Sequence, residues 1–155
     1  MRIEIKVNGI NKVFDILPDE YLVDTLRNNG YTSVKKGCDT GICGCCTVHM
    51  DGKAILSCVM LSARAAGHEI TTIEGVSEKA RKVGQFLVDE GVEQCGYCST
   101  GLIMNILYME KVVKEPTDEE ILHYLNGNLC RCTGYIGQLR AIKKYLEAKN
   151  NENCK

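Results

Sequence analysis

The chain has 155 residues and a formal net charge of −1, from 19 basic and 20 acidic side chains, with few aromatics and no Trp. That balance excludes a basic nucleic-acid binder and offers no platform for stacking bases. Ten cysteines are too many to explain by packing. The opening MRIEIKV lacks the apolar core of a secretory signal, and no run nears the ~18 apolar residues of a membrane span, so a cytoplasmic setting is expected. Disulfides are rare there, and the cysteines are expected to bind metal or do redox work.

IEIKV at 3–7 alternates apolar and charged side chains and reads as a half-buried strand. Asn8-Gly9 is a hairpin dipeptide, and VFDI at 13–16 is the returning strand. Pro18-Asp19-Glu20 is expected to open a short helix with Leu22, Val23 and Leu26 on its apolar face and Gly30 just past its end. After a cysteine-rich loop, TVHM and KAIL flank Asp51-Gly52 as a second hairpin, and ITTI at 70–73 is a further strand. Beyond Gly75 the apolar period changes to that of helices. One runs from Ser77 to Glu90. A second carries Leu102, Ile103, Ile106 and Leu107. A third follows the capping-box spacing of Thr117 and Glu120, and a fourth carries Ala141, Ile142, Tyr145 and Leu146. The fold class is therefore α+β. A small sheet domain over residues 1–75 precedes a four-helix domain over 76–148 and a polar, frayed tail over 149–155. Units this small bury modest cores, and a metal staple in each would help them fold.

Cys38-x4-Cys43-x2-Cys46, with Cys58 downstream, has the spacing of a plant-type [2Fe–2S] site. A two-iron cluster needs two thiolates on each iron, a tight loop to wrap it and a distal residue to close it. Gly37, Gly41 and Gly44 are expected to supply φ > 0 and close backbone approach, so that amide N–H groups point at the sulfurs. Zinc or a disulfide framework fits less well, because zinc favours paired C-x2-C knuckles and only one is present. Cys45 falls outside the spacing and reads as a buried, unligated thiol.

Cys95-x2-Cys98 and Cys130-x-Cys132 form a second all-thiolate set at loop-to-helix junctions, where free N–H groups favour thiolates. On spacing alone this is a metal site, with zinc as a rival to a cluster. His49, His68 and His123 lie outside both sets and read as surface or satisfied core residues. Arg131 stands between two candidate ligands as either a charge partner or a solvated side chain, Lys35 and Lys36 read as a solvated face, and Cys154 as an unligated thiol.

QCGYC and GNLCRCTGY, downstream of GC-x4-CGxCTV, resemble the small iron–sulfur subunit of the molybdenum hydroxylases, the superfamily of xanthine dehydrogenase, aldehyde oxidoreductase and carbon monoxide dehydrogenase. The resemblance covers residues 2–146 and implies a ferredoxin-like β-grasp domain and a helical domain with one [2Fe–2S] cluster each. It implies that Cys38, Cys43, Cys46 and Cys58 hold one cluster and Cys95, Cys98, Cys130 and Cys132 the other, that Gln94 lies near a molybdopterin on a large subunit, and that electrons leave to FAD on a medium subunit. A hetero-oligomer follows, with a dimer of heterotrimers as one form, and neither nucleic acid nor membrane is a partner. The sequence departs from the family at Cys45, where Ala is common, at Thr40, where Glu is common, and at Ser99-Thr100, where Thr-Pro is common. The last is expected to loosen the turn into the next helix.

The chain has no G-x-G-x-x-G, P-loop or Ser/His/Asp grouping, and the implied work is one-electron transfer rather than substrate chemistry. A free two-cluster ferredoxin is disfavoured because diffusing carriers use strongly charged docking faces. A zinc-stapled interaction module is the other alternative.

Overall fold

The structure is a computed structural model that describes residues 1–153. Strands β1 (Arg2–Val7) and β2 (Ile10–Asp15) form an antiparallel hairpin with Val7 opposite Ile10. Asn8 and Gly9 take φ of 51° and 81°, the turn geometry whose twist suits the flanking strands. Ile3, Ile5 and Val7 are buried and their neighbours exposed, as the alternation requires. β2 starts three residues before VFDI: Ile10 to Lys12 pair with β1 although their side chains are all exposed, so no buried apolar alternation marks them.

Pro18-Asp19-Glu20 makes a turn rather than a helix start. The Glu20 N–H donates to the Leu17 carbonyl, and the Leu17 N–H donates to the Glu20 carboxylate. The helix α1 (Leu22–Asn28) follows, burying Leu22, Val23 and Leu26. It ends as expected at Gly30, where the Tyr31 N–H returns to the Leu26 carbonyl at 3.0 Å.

Strands β3 (Thr47–Met50) and β4 (Lys53–Leu56) form the second hairpin on Asp51-Gly52. Strand β5 (Glu69–Thr71) slots between β1, to which it is parallel, and β3, giving the order β2-β1-β5-β3-β4. Its pairing ends at Thr71, and residues Ile73–Val76 wind into a 3-10 turn. With α1 across one face, this is a β-grasp built on a single core that includes Ile5, Val7, Leu22, Leu26, Val48 and Ile70.

Four helices follow: α2 (Ser77–Asp89), α3 (Ser99–Val112), α4 (Asp118–Leu125) and α5 (Ile136–Asn153). They share a second core that includes Leu87, Leu102, Ile106, Ile121 and Ile142. The capping box forms at α4: the Thr117 side chain accepts from the Glu120 N–H, and the Glu120 carboxylate accepts from the Thr117 N–H. Helix α5 does not fray at residue 149. It continues to Asn153, with Lys149 Nζ 2.8 Å from a Glu110 carboxylate oxygen on α3. Cys154 lies outside the described residues.

The two cores meet where α3 lies along β3. The buried His49 Nε2–H donates to the Met104 carbonyl at 2.8 Å. Gly101 touches the loop before β3 so closely that a Cβ there would lie 2.1 Å from the Gly44 carbonyl oxygen.

Candidate metal centres

The loop between α1 and β3 supplies Cys38, Cys43 and Cys46. Cys58 comes from the 3-10 turn Ser57–Val59 that follows β4. The β3–β4 pairing brings that turn back to the loop, and the Ser57 N–H and hydroxyl both donate to the Cys46 carbonyl, at 3.3 and 2.7 Å. Backbone amides of Cys43, Thr40 and Ile42 converge on the Cys38 sulfur and lower its pKa to about 6. This is the expected ring of N–H donors, and Thr40 takes part through its backbone, whatever its side chain. Cys58 is pushed up to about 12, first by burial and then by its contact with Cys46. The four thiols thus form two contacting pairs, Cys38 with Cys43 and Cys46 with Cys58.

Gly41 and Gly44 have positive φ, both 72°, as the loop reading requires. Gly37 does not. It is needed for space: a Cβ there would lie 3.2 Å from the sulfurs of both Cys43 and Cys45.

The second set joins the α2–α3 loop to the α4–α5 loop. Cys98 is the N-cap of α3, and its carbonyl accepts from the Leu102 N–H at 3.0 Å. Cys132 contacts Cys95, sulfur to sulfur, at 3.6 Å, and Cys98 contacts Cys130. Burial works against the Cys130 thiolate, but the Thr133 hydroxyl at 3.2 Å and the amides of Thr133 and Cys132 lower its pKa to about 7. Burial, then the neighbouring Cys130, pushes Cys98 up to about 12. The turn into α3 is tied rather than loosened. The Ser99 hydroxyl lies 2.6 and 2.8 Å from the Glu93 carboxylate oxygens, and the Thr100 hydroxyl donates to the Ser33 carbonyl at 2.9 Å.

The two sets are neighbours. The Leu129 N–H, one residue before Cys130, donates to the Cys43 carbonyl at 2.9 Å, and Asn128 Nδ2 donates to the Gly44 carbonyl at 3.3 Å. A cavity of about 190 Å³ lies between them, lined by Cys43 and Cys45 on one side and by Cys95, Cys98, Cys130 and Cys132 on the other. Cys95, Cys132 and Gln94 are exposed and border a second, wider concavity. Asn128 and Tyr97 are participants that the cysteine spacing does not single out. Tyr97 packs on Gly37 and donates its hydroxyl to the Lys36 carbonyl at 2.8 Å. Lys36 is not merely solvated, since its Nζ lies 3.2 Å from Asp24. Arg131 is exposed on the cavity rim. His49 and His68 are satisfied, by Met104 and by Asp51 respectively, and His123 is exposed.

Among the described residues every cysteine is a free thiol, and no three His, Cys, Asp or Glu side chains converge as they would on a single metal ion. Four thiols in two contacting pairs fit a two-iron cluster, which takes two thiolates per iron. The N–H groups aimed at Cys38 and Cys130 fit the negative charge that such a group brings.

Residues 5–70 match the family described as the 2Fe-2S iron-sulfur cluster binding domain, and residues 72–143 match the [2Fe-2S] binding domain. The chain is 40% identical over 148 residues to the nicotinate dehydrogenase small FeS subunit of Eubacterium barkeri, covering 94% of this chain and 94% of the relative. It is 45% identical over 137 residues to the xanthine dehydrogenase iron-sulfur-binding subunit of Escherichia coli O157:H7, covering 86% of each. Among solved structures it is similar to a chain of quinoline 2-oxidoreductase from Pseudomonas putida 86, with a TM-score of 0.89 and 36% identity over 97% of this chain and 96% of that one.

Proposed function

Because the chain belongs to the small iron–sulfur subunits of the molybdenum hydroxylases, we propose that it holds one [2Fe–2S] cluster on Cys38, Cys43, Cys46 and Cys58 and a second on Cys95, Cys98, Cys130 and Cys132. The observation that carries this reading is the pairing of the thiols at both sites, Cys95 with Cys132 at 3.6 Å being the most direct. Bound there, the clusters supply one-electron storage and transfer, which is the work of an electron-transfer subunit.

The residues of the chain position and shield. Amides at Cys38 and the Thr133 hydroxyl at Cys130 offset thiolate charge, while buried Cys43 and Cys46 keep water from the inner side of the first set. Residues 1–75 and 76–148 act as two domains, a division supported by their separate cores. We assign the exposed edge with Gln94, Cys95 and Cys132 to a large molybdopterin-binding subunit, Gln94 facing the pterin, and the outer side of the first set to a medium FAD-binding subunit. We place the assembly in the cytoplasm. Among the described residues no helix is long and apolar enough to cross a membrane. Several of the similar proteins are named for nitrogen heteroaromatics (nicotinate, xanthine, quinoline) and others are named aldehyde oxidoreductases; on the larger share of these names we place the substrate of the complex among the nitrogen heteroaromatics.

The test is the metal content of the native complex, purified anaerobically through a tag on this chain. The expected result is about four Fe per chain, together with molybdenum, little zinc and two further polypeptides. Iron without molybdenum or partners would indicate a free ferredoxin. Zinc in place of iron would sink the redox reading.

A further inference from the structure

Asn128 is 3% exposed, and both polar atoms of its side chain are engaged. Asn105 Nδ2 donates to the Tyr124 carbonyl at 2.7 Å and to Asn128 Oδ1 at 2.8 Å, and Asn128 Nδ2 donates onward to the Gly44 carbonyl at 3.3 Å. The order of this relay is forced. A backbone carbonyl only accepts, so Tyr124 demands the nitrogen of Asn105. That nitrogen demands the oxygen of Asn128, which leaves the Asn128 nitrogen for Gly44. The Gly44 carbonyl already accepts from the Thr47 N–H at 3.2 Å and from the Thr47 hydroxyl at 2.7 Å. Asn128 is therefore not needed to satisfy that oxygen. What it adds is a tie between two loops 84 residues apart. Beside this tie, the Leu129 N–H donates to the Cys43 carbonyl at 2.9 Å. Adjacent residues on one loop thus bond to adjacent residues on the other. One such bond would act as a pivot, whereas two side by side stop the loops from sliding or turning past each other. The approach is close, since a Cβ at Gly44 would lie 2.5 Å from Asn128 Nδ2. Cys43 belongs to the first thiol set, and Leu129 adjoins Cys130 of the second.

We propose that Asn128, oriented by Asn105, is a positioning residue that locks the Cys43 loop to the Cys130 loop and so fixes the spacing and orientation of the two clusters relative to each other. The inference rests on the two-cluster reading above. Electron exchange between two centres falls steeply with their separation, so a joint that cannot shift keeps their coupling uniform. Outer groups that hold ligand-bearing segments by hydrogen bonds are how a protein sets such geometry. One cluster is oxidised as the other is reduced, and both amides are unchanged in the transfer. Neither side chain binds iron, carries charge or gives up a proton.

The experiment uses the intact complex with two readouts. With both clusters reduced, the magnetic interaction between them is read from the EPR line shape. Hydrogen exchange at the Leu129 amide is read by peptide mass spectrometry. Asn128→Leu keeps the branched shape and removes the tie. Asn105→Leu removes only the orienting bonds, and Ile121→Val trims the α4 core without touching the relay. In Asn128→Leu the Leu129 amide should exchange about tenfold faster, the scale of one lost hydrogen bond. The interaction between the clusters should weaken and the iron content stay unchanged. Asn105→Leu should move both readouts the same way by less, and Ile121→Val neither. An unaltered interaction in Asn128→Leu would overturn the proposal, as would an equal loss in Ile121→Val. Two cluster signals without interaction in the unsubstituted complex would overturn it too. Should Asn128→Leu fail to assemble with its iron, Asn105→Leu decides by the same criteria. Absence of cluster signals from the unsubstituted complex would instead be the failure of the two-cluster reading.

Discussion

Cys38 and Cys58 belong to one thiol set but sit in opposite electrostatic surroundings. Three amides draw the first down to about 6, and burial, then contact with Cys46, drives the second to about 12. In the cluster-free chain at neutral pH, Cys38 is therefore the thiolate and Cys58 the thiol. Iodoacetamide labelling read by peptide mass mapping should modify Cys38 first, with a pH midpoint near 6, and leave Cys58 unmodified. Its lowered pKa makes Cys38 a stabilising group at high pH. That contribution is full above its ordinary value of 9.0 and is lost as pH falls through about 6. Gly44 makes a different demand. It has φ +72°, and a Cβ there would stand 2.0 Å from the Gly127 carbonyl oxygen. Gly44→Ala should destabilise the chain by about 2–4 kcal/mol, combining left-handed strain with backbone overlap. Denaturant unfolding would measure this, and a loss below about 1 kcal/mol would show that the two loops can part cheaply.

The elements are held by signals of differing reach. Both hairpins lie at the dipeptides that encode them, because Asn-Gly and Asp-Gly accept positive φ at little cost. The α4 capping box is likewise local, and Thr117→Ala should cost about 1 kcal/mol, read as a shift in urea midpoint without a change in slope. The start of β2 is hidden because its first three side chains are exposed, so hydrogen bonding and not hydrophobicity defines them. The firmness of the turn into α3 escapes a local reading because its ties are to Glu93 and Ser33, six and 67 residues away.

At the scale of the molecule, the joint between the sheet and the helices decides how the two thiol sets face each other. His49 spans that joint, only 3% exposed and donating to Met104. Burial lowers its pKa below 6.5 and outweighs the hydrogen bond to Met104, which acts in the other direction. The unfolded chain then binds the proton more readily than the folded one. Stability should therefore decline as pH falls below about 6.5 and continue to decline down to the lowered pKa of His49 in the fold. Urea unfolding of the cluster-free chain across this range, with His49→Gln as the control, would check it. The substitution should flatten the pH dependence, and an unaltered slope would assign it to other groups.

What the sequence determined by itself was everything carried by short spacings: the C-x4-C-x2-C, C-x2-C and C-x-C runs, two hairpins, the face of α1, the helix periods and the α4 cap. Backbone geometry over a few residues dictates these features, and residue type alone reports them. The tertiary structure alone decided the insertion of β5 between β1 and β3, the bond from Leu129 to the Cys43 carbonyl and the place of Cys45 between the two thiol sets. Each depends on surfaces far apart in the chain being buried against one another. Cys45 and Cys46 are adjacent in sequence and the spacing sets Cys46 among the first set, but only the packing of α3 against the first loop places the Cys45 backbone on Gly101 and its side chain in the wall of the cavity between the two sets.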